Sequence, residues 1–173
     1  MGAEENQSFT DFVSAEQAGL LRLAVLLAGD RGQAEDLVQT ALMKCYRHWG
    51  RITRSGTPSA YVRRALVTTH TSWRRRLSST EQVMSDLPDR ADPYRELEAE
   101  DEDLRRALRD LPPRMRAAVV LRFYEDLSEL RTAELMGCSA STVNTQTARG
   151  LDRLRTALAD STATNATLRE EGR

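Results

Sequence analysis

Residues 34–49 constrain the fold more than any other stretch. Ala34, Leu37, Val38, Ala41, Leu42, Cys45, Tyr46 and Trp49 recur at spacings of three and four, which is the period of one buried helix stripe. Asp30 stands ahead of them as N-cap, and Glu35, Asp36, Gln39, Thr40 and Met43 fall off the stripe, facing outward. Such a stripe needs further helices to cover it, and helical spacing recurs on both sides. Leu20, Leu21, Leu23, Ala24 and Leu27 predict a helix that opens at Ser14 as N-cap, with Gln17 completing a capping box, and stops near Gly29. Residues 50–57 read as a loop. Thr57 and Pro58 then supply N-cap and first position of a helix with Val62, Ala65, Leu66, Thr69 and Trp73 on one face. Further on, Leu104, Ala107, Leu108 and Leu111 form a short stripe that ends at Pro112-Pro113. Another helix from about Arg114 carries Ala117, Ala118, Val120, Leu121 and Tyr124 inward. Alternating apolar runs are absent and aromatics are few, so no strand is expected. The predicted class is all-α.

Charge divides this helical chain. Residues 37–80 hold nine Lys/Arg and no Asp or Glu, inside a chain of net charge -1. Residues 81–103 hold ten acidic and two basic side chains, with Pro88 and Pro93 and no convincing apolar period. That composition reads as an acidic flexible linker. Residues 104–160 are basic again, with ten basic side chains against seven acidic. The expected architecture is therefore two small helical domains, 9–80 and 104–160, joined by the linker 81–103 and followed by a disordered tail, 161–173. A basic block in a near-neutral chain is the footprint of a polyanion partner. Tyr46, Trp49, Tyr61 and Trp73 interleave the cations of that block, and arginine beside aromatics suits unpaired bases and their phosphates.

Several classes are disfavoured. Cys45 and Cys138 are far apart and have no companion ligand at metal spacing, so they read as small core hydrophobes and no metal site is assigned. His48 and His70 have no nucleophile or carboxylate at a telling spacing, and neither a phosphate-binding loop nor a dinucleotide fingerprint is present. Hence no catalytic residue and no cofactor is assigned. The first twelve residues lack the pattern of a signal peptide, and Leu20 to Ala28 is too short to span a bilayer. The expectation is a cytoplasmic protein without membrane insertion.

The segment from Ser128 to Arg155 has the spacing of a helix-turn-helix. Ser128 caps a short helix over 129–136, and Ala133 is small where a second helix must pass close. Gly137 permits a sharp turn, and Ser139 caps a last helix with Val143, Thr147, Leu151, Leu154 and Leu158 inward. Ser141, Thr142, Asn144, Thr145, Ala148 and Arg149 are left outward, a set suited to base edges and phosphates in a major groove.

With these residues in view, LPPRMRAAVVLRFYEDLSELRTAELMGCSASTVNTQTARGLDRLR (111–155) resembles the promoter -35-binding domain of an extracytoplasmic-function (ECF) sigma factor of the sigma-70 family. LAGDRGQAEDLVQTALMKCYRHW (27–49) resembles the matching N-terminal domain, in which a D-x-x-x-A-E-D-L-V-Q pattern docks on core RNA polymerase. AYVRRALVTTHTSWRRR (60–76) resembles the -10-melting helix, most like that of a short actinobacterial branch. The likeness covers about residues 9–158 and joins two motif sets in the right order.

The resemblance implies a sigma region 2-like domain over 9–80 and a region 4-like domain over 104–160. It implies docking on core RNA polymerase through Glu35, Asp36, Leu37, Val38 and Gln39. Single-stranded -10 DNA would be held by Arg51, Arg54, Arg63, Arg64, Thr68, His70, Trp73, Arg74 and Arg75. Duplex -35 DNA would be read by Ser141, Thr142, Asn144, Thr145 and Arg149. The protein would initiate transcription on the nucleoid through polymerase, and an anti-sigma factor that clamps both domains is common in the family. Two positions depart from the family pattern, Thr68 in a stretch where Asn is frequent and Asn144 where Lys is common, and both bear on promoter preference. A stand-alone helix-turn-helix regulator is the alternative, and it leaves the arginine- and tryptophan-bearing helix over 58–76 without a role.

Overall fold

The computed structural model describes residues 2–79 and 99–171, and every regular element among them is helical. The described residues divide into two compact units. The first holds α1 (Ala3–Ala28), α2 (Arg31–Tyr46), α3 (Trp49–Arg54) and α4 (Pro58–Ser79). The second holds α5 (Ala99–Asp110), α6 (Pro113–Val119), a π turn (Val120–Tyr124), α7 (Glu129–Met136) through Glu134, and α8 (Ala140–Glu171). Most of the acidic segment expected as a linker lies outside the described residues. Residues 99–103, its last part, belong to α5.

In the first unit α2 packs between α1 and α4. The stripe that predicted α2 is buried at Ala34, Leu37, Val38, Ala41 and Cys45, facing Leu20, Leu23, Ala24 and Leu27 of α1 and Val62, Leu66 and Val67 of α4. Each fully buried Leu in such a core contributes about 1.5–3 kcal/mol. Asp30 caps α2 as expected, its carboxylate accepting from the Gln33 N–H at 2.8 Å. Gly29 ends α1 at φ 79°, where a side chain would be strained.

Three expectations are corrected here. Helix α1 begins at Ala3, and Ser14 is inside it with its hydroxyl donating to the Thr10 carbonyl. The local capping signal loses to aromatic packing. Phe9 meets Tyr46 and Trp49 at ring-centroid distances of 5.0 and 5.1 Å, and Phe12 meets Trp49 at 4.9 Å. Second, Trp49 does not end α2. The backbone of His48 leaves the helical region at φ -125°, ψ 16°, and this break rolls Trp49 into the core. Third, the expected loop over 50–57 is mostly α3, anchored by buried Trp49 and Ile52.

In the second unit α6 and α5 pack against α8. The core contains Ala107, Leu108, Leu111, Met115, Ala118, Leu121, Val143 and Leu154. Gly150 is where α8 crosses α6: a Cβ there would lie 2.7 Å from a Val119 methyl. Arg116 is buried, and its guanidinium donates to the Arg109 carbonyl at 3.0 Å. It thereby satisfies a carbonyl at the C-terminal end of α5, the end that favours a cation. The helix after Arg114 changes to π geometry at Val120, with the Glu125 N–H bonding to the Val120 carbonyl at 3.1 Å. The extra residue per turn rotates Tyr124 outward, where an inward position was expected, and leaves Phe123 exposed beside it. Helix α8 continues to Glu171, so most of the expected disordered tail is helical.

Candidate nucleic-acid interface

In the first unit the basic block folds into a cleft of about 450 Å³ lined by Lys44, Cys45, Arg47, His48, Tyr61, Arg64, Ala65, Thr68 and Thr69. Its walls are the end of α2 and the outer face of α4. Tyr61, Arg64 and Thr68 reach it together because they are three and four residues apart on one helix. The Lys44 ammonium donates to the Thr69 hydroxyl at 3.0 Å, tying α2 to α4 at the cleft floor. The Thr68 hydroxyl is exposed and donates back to the Arg64 and Ala65 carbonyls at 3.0 and 3.1 Å. Burial pushes the Cys45 thiol up to about 11, with Lys44 acting weakly in the other direction, so the thiol in this wall is protonated at neutral pH. The cleft thus offers cations, hydroxyls and the half-exposed Tyr61 ring to an anionic ligand that carries flat groups.

The residues expected at the -10 strand are distributed unevenly. Arg51 and Arg54 are exposed on α3, and Arg64, Arg74 and Arg75 are exposed on α4. Burial of part of its side chain lowers the Arg74 guanidinium from its ordinary value, yet an arginine remains charged. Trp73 is half-buried. Arg63 is engaged within the fold: its guanidinium lies 3.7 Å from the Glu16 carboxylate of α1, which also accepts from the Ser59 hydroxyl at 3.2 Å. His70 is corrected outright. It is 5% exposed, because it is four residues after Leu66 and three after Val67, on the core side of α4. Lys44, Arg47, His48 and Tyr61 line the cleft but were not assigned to it from the sequence. Lys44 and Arg47 stood in the basic block, and only the packing of α2 on α4 brings them to Arg64.

The outward face of α2 carries Glu35, Asp36 and Gln39, all exposed, with Glu35 paired to Arg31 at 2.9 Å. Met43 extends that face and is 65% exposed. Leu37 and Val38 do not belong to it. They are 0% and 6% exposed, since the helical period that places Asp36 and Gln39 outward turns them inward, so they support that surface and cannot touch a partner.

The helix-turn-helix of α7 and α8 is built as its caps predict. The Ser128 hydroxyl accepts from the Arg131 N–H at 3.2 Å, and the Ser139 hydroxyl accepts from the Thr142 N–H at 3.1 Å. Between them Gly137 takes φ 64°, a conformation that a side chain disfavours. Ala133 and Val143 are both buried. Ser141, Asn144, Thr145, Ala148 and Arg149 form an exposed face on α8. Asn144 and Arg149 make no hydrogen bond or ion pair to other described residues, so their polar groups are available to a ligand. Thr142 is half-buried, and its hydroxyl exchanges a hydrogen bond with Ser139 at 2.9 Å, which makes it part of the cap more than of the face.

Among the described residues no group of side chains could hold a metal ion, and no helix is long and apolar enough to cross a membrane.

Comparison with known proteins agrees with this geometry. Residues 12–80 match the model of sigma-70 region 2, and residues 101–154 match that of sigma-70 region 4. The chain is 38% identical to the RNA polymerase sigma-E factor of Streptomyces avermitilis over 90% of its own length and 87% of that protein's. It is 30% identical to the ECF RNA polymerase sigma factor SigE of Mycolicibacterium smegmatis, over 88% of this chain and 62% of the other. Its fold is shared with the sigma factor RpoE of Bartonella quintana, solved in complex with the anti-sigma factor NepR. That match has a TM-score of 0.65 and 22% identity, and it covers 88% of this chain and 98% of the other. Two region models in order and relatives of this identity and coverage settle the family: the chain is an alternative sigma factor of the ECF branch of the sigma-70 family.

Proposed function

We propose that this sigma factor docks on core RNA polymerase through the outward face of α2, reads duplex -35 DNA with α8, and opens the -10 element at the cleft between α2 and α4. The observation that carries this reading is the cleft itself. Lys44, Arg47 and Arg64 converge there with Tyr61 and the exposed Thr68, a combination fitted to phosphates and an unstacked base. Glu35, Asp36 and Gln39, extended by Met43, form the docking face, with Leu37 and Val38 behind it. Ser141, Asn144, Thr145 and Arg149 form the -35 face, with Thr142 holding its start. No bond is made or broken by the chain in this mechanism: binding and positioning do the work, and the polymerase supplies the chemistry. Capture by an anti-sigma protein is part of the same reading, carried by the family resemblance.

The test is run-off transcription with purified core polymerase over a library of promoter fragments. Active fragments should share two elements at -35 and -10. Replacing Arg47 and Arg64 together by Gln should abolish transcription from closed templates and leave most of it on templates mismatched at -10. Equal loss on both templates removes the opening role. Transcription that is unchanged by Asp36→Arg with Gln39→Arg removes the docking face.

A further inference from the structure

The first turns of α1 have no task in that mechanism. They are acidic, with Glu4, Glu5 and Asp11, and yet they are fastened to a basic part of the surface. Besides the Phe9 and Phe12 ring contacts, the Tyr46 hydroxyl donates to the Asn6 side-chain carbonyl at 3.0 Å. The Trp49 indole N–H donates to the Ser8 hydroxyl at 3.3 Å. This packing carries Glu5 onto α3. The Glu5 side chain is half-buried and lies so close over Gly50 that a Cβ there would sit 2.1 Å from its carboxylate oxygen. The surrounding cleft, about 300 Å³, is lined by Arg47, His48, Trp49, Arg51 and Arg54 as well. Arg47, Arg51 and Arg54 form no ion pair with other described residues. The Glu5 carboxylate over Gly50 and the three guanidinium groups thus line one cleft without pairing to each other, which leaves the hydrogen-bonding forks of the arginines free.

We infer that the Arg47, Arg51 and Arg54 cleft is a phosphodiester-binding site and that Glu5 is its built-in competitor. The inference rests on the reading of the first unit as DNA-binding. One carboxylate near three guanidinium groups lowers the local positive potential, and it occupies space over Gly50 that a phosphate would use. Glu5 is attached by a flexible side chain, so an incoming phosphate displaces it by rotation without unpacking Phe9 or Phe12. Gly50 is what lets the carboxylate in. The effect is to temper the grip of the free protein on any polyanion while leaving the arginines intact for a strand that is delivered to them.

The full-length protein and a fluorescent single-stranded oligodeoxynucleotide test this over a salt series. Glu5→Gln keeps the packing and removes the charge. Gly50→Ala keeps the charge and expels the carboxylate, which is the mobile end of its side chain. Each is expected to tighten binding about two- to fivefold, the scale of one exposed charge interaction. The double variant should bind no tighter than either single one, because both remove the same competitor. The gain should fade as salt rises. Adding Arg51→Gln and Arg54→Gln to Glu5→Gln should reverse it. Binding by Glu5→Gln that equals wild type, or that is undetectable, overturns the inference, as does additivity of the two single effects. Transcription with core polymerase separates the two readings. Full transcription with no effect of Glu5→Gln sinks only the competitor, while tighter binding by Glu5→Gln without any transcription sinks only the sigma mechanism.

Discussion

The two candidate DNA surfaces differ in construction. In the first unit the cations of one cleft come from the end of α2, the residues just after it, and α4, and they line a concave wall with Tyr61. In the second unit the face lies on a single helix, α8, and is made of the exposed Ser141, Asn144, Thr145, Ala148 and Arg149. A cavity assembled from several elements accepts a group that has left its stack, whereas a smooth helix of small side chains fits a groove without disturbing it. The difference also governs fragility. The cleft depends on how helices pack, while the α8 face depends mainly on one helix being present and correctly capped.

Breaking the packing of either unit should therefore have the largest effect, and the effects should stay separate. Trp49→Ala removes the ring on which Phe9 and Phe12 rest and should cost the first unit about 3–5 kcal/mol. The cleft should be lost with it, because Arg47 and His48 lead directly into Trp49. Gly150→Ala should cost the second unit about 1–3 kcal/mol, since the added methyl meets Val119, a branched side chain fixed on α6. Hydrogen exchange followed peptide by peptide reads both. Protection should fall in α1–α4 for the first variant and in α5–α8 for the second. Loss of protection throughout the chain in either case would show that the units are not independent in stability.

The same contrast explains what the sequence makes legible. Local signals sufficed where one helix makes the feature. The caps Asp30, Ser128 and Ser139, the turn at Gly137 and the outward Asn144 and Arg149 all follow from spacing alone. Features that arise between helices were hidden. The aromatic contacts of Phe9 and Phe12 with Trp49 override the cap at Ser14 and bend the chain at His48, and no window of sequence contains both partners. A single stripe on α4 leaves Arg63 and His70 outward, whereas α1 and α2 both pack on that helix and bury a wider face. Motif contiguity draws Leu37 and Val38 into the docking set, although the helical period that defines α2 turns them inward. Tyr124 was misplaced by the π turn, which shifts the phase of a helix without any signal in composition.

On α8 the sharper test is Arg149→Ala. If Arg149 grips one base edge with both nitrogens, the loss should be about 1–3 kcal/mol and confined to promoters that carry that base. If it contacts a phosphate, binding should weaken evenly and the salt slope should fall by about one. Titration of a duplex -35 fragment with polymerase holoenzyme at several salt concentrations distinguishes these outcomes. Unchanged affinity and slope would remove Arg149 from the face.

The smallest expected effect is the most discriminating for the cleft. Arg63 and Arg64 are neighbours in sequence and identical in chemistry, but α4 turns them apart. Arg64 lines the cleft, and Arg63 faces Glu16 of α1. Gln is nearly as good a helix former as Arg, so neither replacement should disturb α4 itself. Arg64→Gln should weaken single-strand binding and lower its salt slope by about 0.7, the value for one phosphate on a single strand. Arg63→Gln should leave the slope where it is and cost only about 0–1 kcal/mol of stability, as befits a partly exposed pair. It also leaves Glu16 without that cation, while the Ser59 hydrogen bond persists and should limit the loss. A salt slope reduced equally by both substitutions would mean that Arg63 leaves Glu16 to reach the strand. The two walls of the cleft would then include the α1 side of α4 as well.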